Sequence, residues 1–188
     1  GSVSGLFLFV SKTEQSTVLL DGVPMPVNLA GAFNLETFSL VNLERLEVLR
    51  GPVSGVHGGK SIGGVINLIS RTGKGLDKPE HEIYVEAGSH DSYREGLSSR
   101  GALGIFDYSL DFQRYDTQGH RINSEYGLTS AAGHLGFQLH KDWYAELNWR
   151  VYEAEGGVPG SSVGLGSNDP DDLLETLSYF LSPRLTWQ

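Results

Sequence analysis

The chain has 188 residues, no cysteine and a formal charge of −9. Without cysteine there is no disulfide scaffold and no thiolate nucleophile or ligand, and the acidic balance argues against a nucleic-acid binder, which carries a basic face. The 25 glycines, 8 tyrosines, 8 phenylalanines and 3 tryptophans suit turn-rich β-structure better than a helical bundle.

No apolar run reaches the ~18 residues of a membrane-crossing helix. A transmembrane β-strand is apolar only at every second residue, so the membrane stays open as a setting. Gly1-Ser2-Val3 offers neither an initiator Met nor a charged leader, and no signal peptide is read there.

Up to about Gly75 the apolar residues come in short continuous runs. Val18-Leu19-Leu20, Leu46-Glu47-Val48-Leu49 and Val65-Ile66-Asn67-Leu68-Ile69 predict strands covered on both faces. Asp21-Gly22-Val23-Pro24 is a turn signal, and Asn34 to Leu43 reads as a short helix. This part is expected to be a small α/β unit.

The stretch Arg50 to Gly64, RGPVSGVHGGKSIGG, imitates a phosphate-binding loop. In G-x-x-x-x-G-K-[ST] the first glycine would stand at position 54, which is Ser54, and the lysine should open a helix. The β-branched run after Gly64 reads as a strand instead. Nucleotide binding is rejected, leaving a glycine-rich connection between strands.

From His81 the pattern becomes strict alternation. Ile83, Val85 and Ala87 alternate with Glu82, Tyr84 and Glu86; Phe106, Tyr108, Leu110 and Phe112 alternate with Asp107, Ser109, Asp111 and Gln113. Leu135, Phe137 and Leu139 alternate with His134, Gly136 and Gln138. Trp143, Ala145, Leu147, Trp149 and Val151 alternate with Tyr144, Glu146, Asn148 and Arg150. Leu177, Tyr179, Leu181, Leu185 and Trp187 share a phase broken by Pro183, and Tyr93 to Arg100 is a further strand with weaker patterning. Short connections at Ser89–Ser92, Ala102–Ile105 and His140–Asp142 contrast with long polar ones at Tyr115–Ser130 and Glu155–Asp172. Such alternation fits a soluble sheet wetted on one side or a barrel with its apolar face in lipid. The loop lengths and the three tryptophans favour the barrel.

Three ordered motifs sharpen this. LLDGVP (Leu19 to Pro24), LERLEVLRGP (Leu43 to Pro52) and GGVINLIS (Gly63 to Ser70) together resemble the plug domain of TonB-dependent outer-membrane receptors. The resemblance implies a transmembrane antiparallel β-barrel, here partial with about six strands, preceded by part of a small α/β plug domain. The expected bounds are residues 1–77 for the plug part and 78–188 for the first barrel strands. A full receptor of this family is a 22-stranded barrel with a plugged lumen, so the chain is expected to be an internal piece, with the TonB box and the first half of the plug preceding Gly1.

The implied role is TonB-energised uptake of a ferric siderophore, cobalamin or similar scarce nutrient across the bacterial outer membrane, without catalysis. The implied partners are TonB, through the preceding segment, the nutrient and outer-membrane lipid. No nucleic acid, cofactor or resident metal is implied. Asn28, Phe33 and Asn34 fall where the family sends an apical plug loop toward substrate. Glu47 and Arg50, in a charge cluster with Glu44 and Arg45, would form plug-to-barrel ion pairs. Lys60 becomes a plug-surface or lumen charge, and Val158-Pro159-Gly160-Ser161 resembles an outward loop.

His81, His90, His120, His134 and His140 show no compact metal spacing, and Asn168 to Asp172 reads as a turn or helix start. Calcium in acidic outer loops, at Asp116 or Glu125, is the weaker reading beside solvated polar loops. The rival to the receptor is a soluble β-rich carbohydrate- or ligand-binding module, which would bury Trp143, Leu147 and Trp149 between two sheets. An enzyme ranks last, since neither a nucleophile–base pair nor paired carboxylates emerge.

Overall fold

A computed structural model describes residues 16–27, 33, 40–51, 61, 63–120, 122–157 and 173–187. Contacts divide the chain into two compact units, Ser2–Arg71 and Thr72–Gln188. Every regular element among the described residues is a strand.

In the first unit, β1 (Ser16–Leu20), β2 (Val23–Pro24), β3 (Leu43–Arg50) and β4 (Gly64–Ser70) form one sheet in the order β2-β1-β4-β3. β1 runs parallel to β4, with Val18 opposite Ile66, whereas β3 is antiparallel to β4, with Val48 opposite the same Ile66. The continuous apolar runs of β1 and β4 match their position in the middle of the sheet: Val18, Leu19, Leu20, Val65, Ile66 and Leu68 are all buried. β3 departs from expectation. It is an edge strand, and Leu46, Val48 and Leu49 are exposed rather than covered.

The three motifs are neighbours in this sheet. Asp21 and Gly22 adopt φ of 51° and 81°, closing a tight turn between β1 and β2. The Asp21 carboxylate accepts the Ser70 backbone N–H at 2.8 Å and the Ser70 hydroxyl at 2.7 Å. The Gly22 N–H donates to Asn67 Oδ1 at 2.9 Å, and Asn67 Nδ2 donates to Glu47 at 3.3 Å. LLDGVP and LERLEVLRGP thus both fasten side-chain bonds to GGVINLIS.

Residues 34–39 of the expected helix lie outside the described residues, and Val41 and Asn42 form a turn into β3 rather than a helix end. Residues 52–60 of the glycine-rich stretch, Lys60 included, are likewise outside. At its ends, Gly51 and Gly64 take φ of 105° and 142°, which a side chain would strain.

The second unit is a six-stranded antiparallel meander in sequence order, with β5 and β10 at the edges. Its strands are β5 (Glu80–Gly88), β6 (Ser92–Leu103), β7 (Phe106–Thr117), β8 (Tyr126–His140), β9 (Trp143–Gly157) and β10 (Leu173–Trp187). Strands run further into the long connections than the alternation suggested, leaving 118–125 between β7 and β8. Residues 158–172 lie outside the described residues. Pro183 does not break β10. It holds its place opposite Leu147, which an edge strand allows because proline lacks only a donor.

Burial in this sheet is inverted relative to a water-soluble one. Ile83, Val85, Leu97, Leu110, Phe112, Leu177, Tyr179, Leu181 and Trp187 are exposed, reaching 81% at Tyr179. Ser98, Asp107, Asp111, Ser130, Asn148 and Ser182 on the other face are buried.

Asp21→Ala removes two acceptors from Ser70. Loss of charged hydrogen bonds is expected to cost about 1–3 kcal/mol. Hydrogen exchange at the Ser70 amide should accelerate about ten- to hundredfold.

Candidate functional site

The densest constellation of chemistry-bearing side chains is the buried polar face of the second sheet. Strand register assembles it. Asp107 stands opposite Gly136 and Ser109 opposite His134 across β7–β8; His134 stands opposite Asn148 and Gly136 opposite Glu146 across β8–β9. Side chains in register across an antiparallel pair share one face.

His134 is the hub, at 0% exposure. Its Nδ1 lies 2.7 Å from Asn148 Oδ1, and its Nε2 lies 3.1 Å from both Asp107 Oδ1 and the Tyr144 hydroxyl. The Tyr144 O–H donates to Asp107 Oδ2 at 2.8 Å. Each member therefore has partners, as burial in a low-dielectric site demands.

Two tyrosines on this face lie across glycines. A Cβ on Gly136 would collide with the Tyr144 hydroxyl and with Asp107 Oδ2, so only glycine leaves room for their bond. A Cβ on Gly96 would run into the Tyr84 ring, whose hydroxyl donates to Gln113 Oε1 at 3.1 Å. Ser109, also at 0% exposure, donates to Asp111 Oδ2 at 3.3 Å, and Arg184 pairs with Glu146 at 3.2 Å. From the residues preceding β5, the Lys74 ammonium sits 4.0 Å from the centroid of the Tyr144 ring.

This arrangement links β7, β8 and β9 through side-chain bonds across their buried face. An Asp–His–Tyr chain resembles a proton relay, yet His134 offers no surface to a reacting atom. Among the described residues no group of three or more His, Asp or Glu is placed to hold a metal ion.

The residues singled out from the sequence are distributed differently. Asn28 and Asn34 lie outside the described residues, and Phe33 is buried. Glu47 is on exposed β3, where Arg45 Nη2 and Nε reach its Oε1 at 2.9 Å and Asn67 its Oε2. Arg50 ends the same strand, exposed. Asp116 is bound by Arg114 at 2.7 Å.

The sequence places His134 on the polar phase of its strand but does not bring Asp107, His134, Tyr144 and Asn148 together as a network. The available signal was phase, since all four residues occupy polar positions of the alternation.

The architecture defines a class of two-part β-protein. A small mixed sheet is joined by an ordered connection to an antiparallel meander whose polar face is buried and whose apolar face is bare. Residues 2–65 match the TonB-dependent Receptor Plug Domain. The Vitamin B12 transporter BtuB of Vibrio vulnificus is 27% identical over 157 residues, covering 79% of this chain and 25% of that protein. The ferripyoverdine receptor of the outer membrane of Pseudomonas aeruginosa superposes with a TM-score of 0.70 at 20% identity, over 93% of this chain and 25% of that one. The siderophore receptor PirA from Acinetobacter baumannii gives a TM-score of 0.71 at 17% identity, over 92% and 30%.

Residues 2–65 are thus similar to the plug of TonB-dependent receptors, and the relatives named here are a transporter and two receptors. The chain spans about a quarter of the length of the curated relative it matches.

His134→Ala would leave Asp107 and Asn148 buried without their shared partner. The expected cost is about 2–4 kcal/mol. Thermal unfolding of the intact protein should show it as a lower midpoint, while an exposed control such as His140→Ala leaves the midpoint unchanged.

Proposed function

We propose that this chain supplies plug and barrel-wall strands to an outer-membrane receptor that takes up a ferric siderophore, cobalamin or similar scarce nutrient with energy from TonB. The single observation carrying the membrane reading is the inverted burial of the second sheet. A soluble sandwich would hide Trp143, Leu147 and Trp149; instead Trp143 is exposed, and Leu147 and Trp149 are only half-buried.

The apolar face has the dimensions of a bilayer-facing strand. On β9 it runs from Trp143 to Val151, close to the ~9–11 residues that cross at a tilt of about 45°. At one end Glu153, Glu95 and Arg114 replace the apolar residues, and at the other Trp143 stands opposite Trp187, as in an interfacial girdle. Short turns at 104–105 and 141–142 lie at the tryptophan end, the pattern expected of the periplasmic side. The far ends of β7, β8, β9 and β10, at Thr117, Tyr126, Gly157 and Leu173, then lie on the outward side.

In this reading residues 1–77 belong to the plug and 78–188 to the barrel, which strands beyond this chain complete. Asn28, Phe33 and Asn34 carry the substrate-facing plug loop. Glu47 and Arg50, on the exposed edge of β3, supply ion pairs from plug to barrel. The names of the relatives support both nutrient classes, a vitamin B12 transporter on one side and siderophore receptors on the other. TonB would engage a segment preceding the plug, and lipid would cover the apolar face.

The test begins with fractionation. The native polypeptide, detected with an antibody to residues 156–172, is expected as a heat-modifiable outer-membrane band; a soluble band near 20.4 kDa would sink the reading. Growth of a deletion strain on ferric siderophores or on cobalamin as the limiting nutrient then separates the two substrate classes. Leu181→Arg provides an independent check on the exposed face. Against lipid it should cost about 2–4 kcal/mol and deplete folded receptor from the membrane, whereas on a water-facing sheet it would be neutral.

A further inference from the structure

We propose that Thr72 is a hinge between two clamped segments, and that residues 73–79 are a fixed anchor at which any rearrangement of the preceding unit stops. Clamps on either side leave one residue between them. On the N-terminal side, the Arg71 N–H donates to the Asn42 carbonyl at 2.9 Å and fastens the end of β4 to the turn before β3. The two compact units part at the next bond, between Arg71 and Thr72.

On the C-terminal side the anchor is built in three layers. Gly73 is buried against the backbone of β6 and β7. A Cβ there would collide with the Gly101 carbonyl oxygen and stand 2.6 Å from that of Tyr108, so the chain lies closer than any other residue permits. The Leu76 N–H returns to the Gly73 carbonyl at 3.1 Å, and Gly75 takes φ of 81°. Together they close a turn of type II with Lys74 and Gly75 at its centre.

That turn presents the Lys74 ammonium to the Tyr144 ring, 4.0 Å from its centroid, in cation–π geometry. Tyr144 is itself immobilised by Asp107 and His134. Pro79 then packs on Gly101, with its Cβ 3.2 Å from where a Gly101 side chain would begin. The buried polar network therefore holds more than strand register: it fixes the platform on which the connecting segment is docked.

The anchor stands on contacts within the second unit and needs no particular activity. The hinge role rests on the receptor reading, because a hinge matters only if the preceding unit moves. A segment pinned in this way confines motion to the φ and ψ of a single residue, and load applied from the N-terminal side is delivered to β6, β7 and β9 rather than to the edge strand β5.

Hydrogen exchange on the intact receptor in membranes tests the anchor. In the wild type the peptide spanning 72–79 should exchange at least ~10-fold more slowly than a free chain. Gly73→Ala and Tyr144→Leu should each abolish that protection while peptides from β8 stay protected. Tyr144→Phe keeps the ring beneath Lys74 but frees it from Asp107 and His134, and should show protection between that of the wild type and that of Tyr144→Leu. An unprotected segment in the wild type, or full protection in both Gly73→Ala and Tyr144→Leu, would overturn the anchor.

Uptake tests the hinge separately. Thr72→Pro fixes φ and restricts Arg71 as well. It should lower energised uptake at least ~10-fold with nutrient binding unchanged, whereas Thr72→Ala transports normally. Wild-type uptake by Thr72→Pro would overturn the hinge. Absence of uptake by the wild type would overturn the receptor reading and the hinge with it, leaving the exchange result to decide the anchor.

Discussion

A polar group shut away from water must find a partner within the protein, and the second sheet places that demand on an entire face. Asp107, His134, Tyr144 and Asn148 answer it jointly, each supplying what another lacks. The consequences extend outward from this network. Gly136 must be glycine so that Tyr144 can reach Asp107 over it, and register between β7, β8 and β9 is held because a slip of one residue would scatter the partners to the opposite face. The connecting segment in turn finds Tyr144 standing still.

The two units solve opposite packing problems with the same element. In the first, β1 and β4 lie inside their sheet, and consecutive apolar residues are buried in the ordinary way. Polar side chains there serve as fasteners at the margins: Asp21 on Ser70, and Asn67 between Gly22 and Glu47. In the second, polar side chains form the interior of the packing and apolar ones its exterior. Composition alone does not distinguish these arrangements; which residues are consecutive and which alternate does.

A bare apolar face with free strand edges is an unstable condition in water, where it invites aggregation. Lipid against that face and further strands along β5 and β10 would remove both liabilities, which is why the membrane-receptor reading accounts for more of the structure than a soluble module does.

Much of this was legible in the residues themselves. Continuous apolar runs before Gly75 and period-two alternation after His81 separate two grammars, because a side chain's face in a strand depends only on its parity. The positions of most strands followed from local patterns, the plug motifs from their resemblance to a known family, and the rejection of a phosphate loop needed only a spacing count. Tertiary structure decided what depends on distant partners. It placed β3 at an edge, carried β10 through Pro183, and brought Asp107, His134, Tyr144 and Asn148 together from three strands. Parity assigns a residue to a face, but only register says which residue it meets there, and register is set by the pairing of whole strands rather than by the pattern within one.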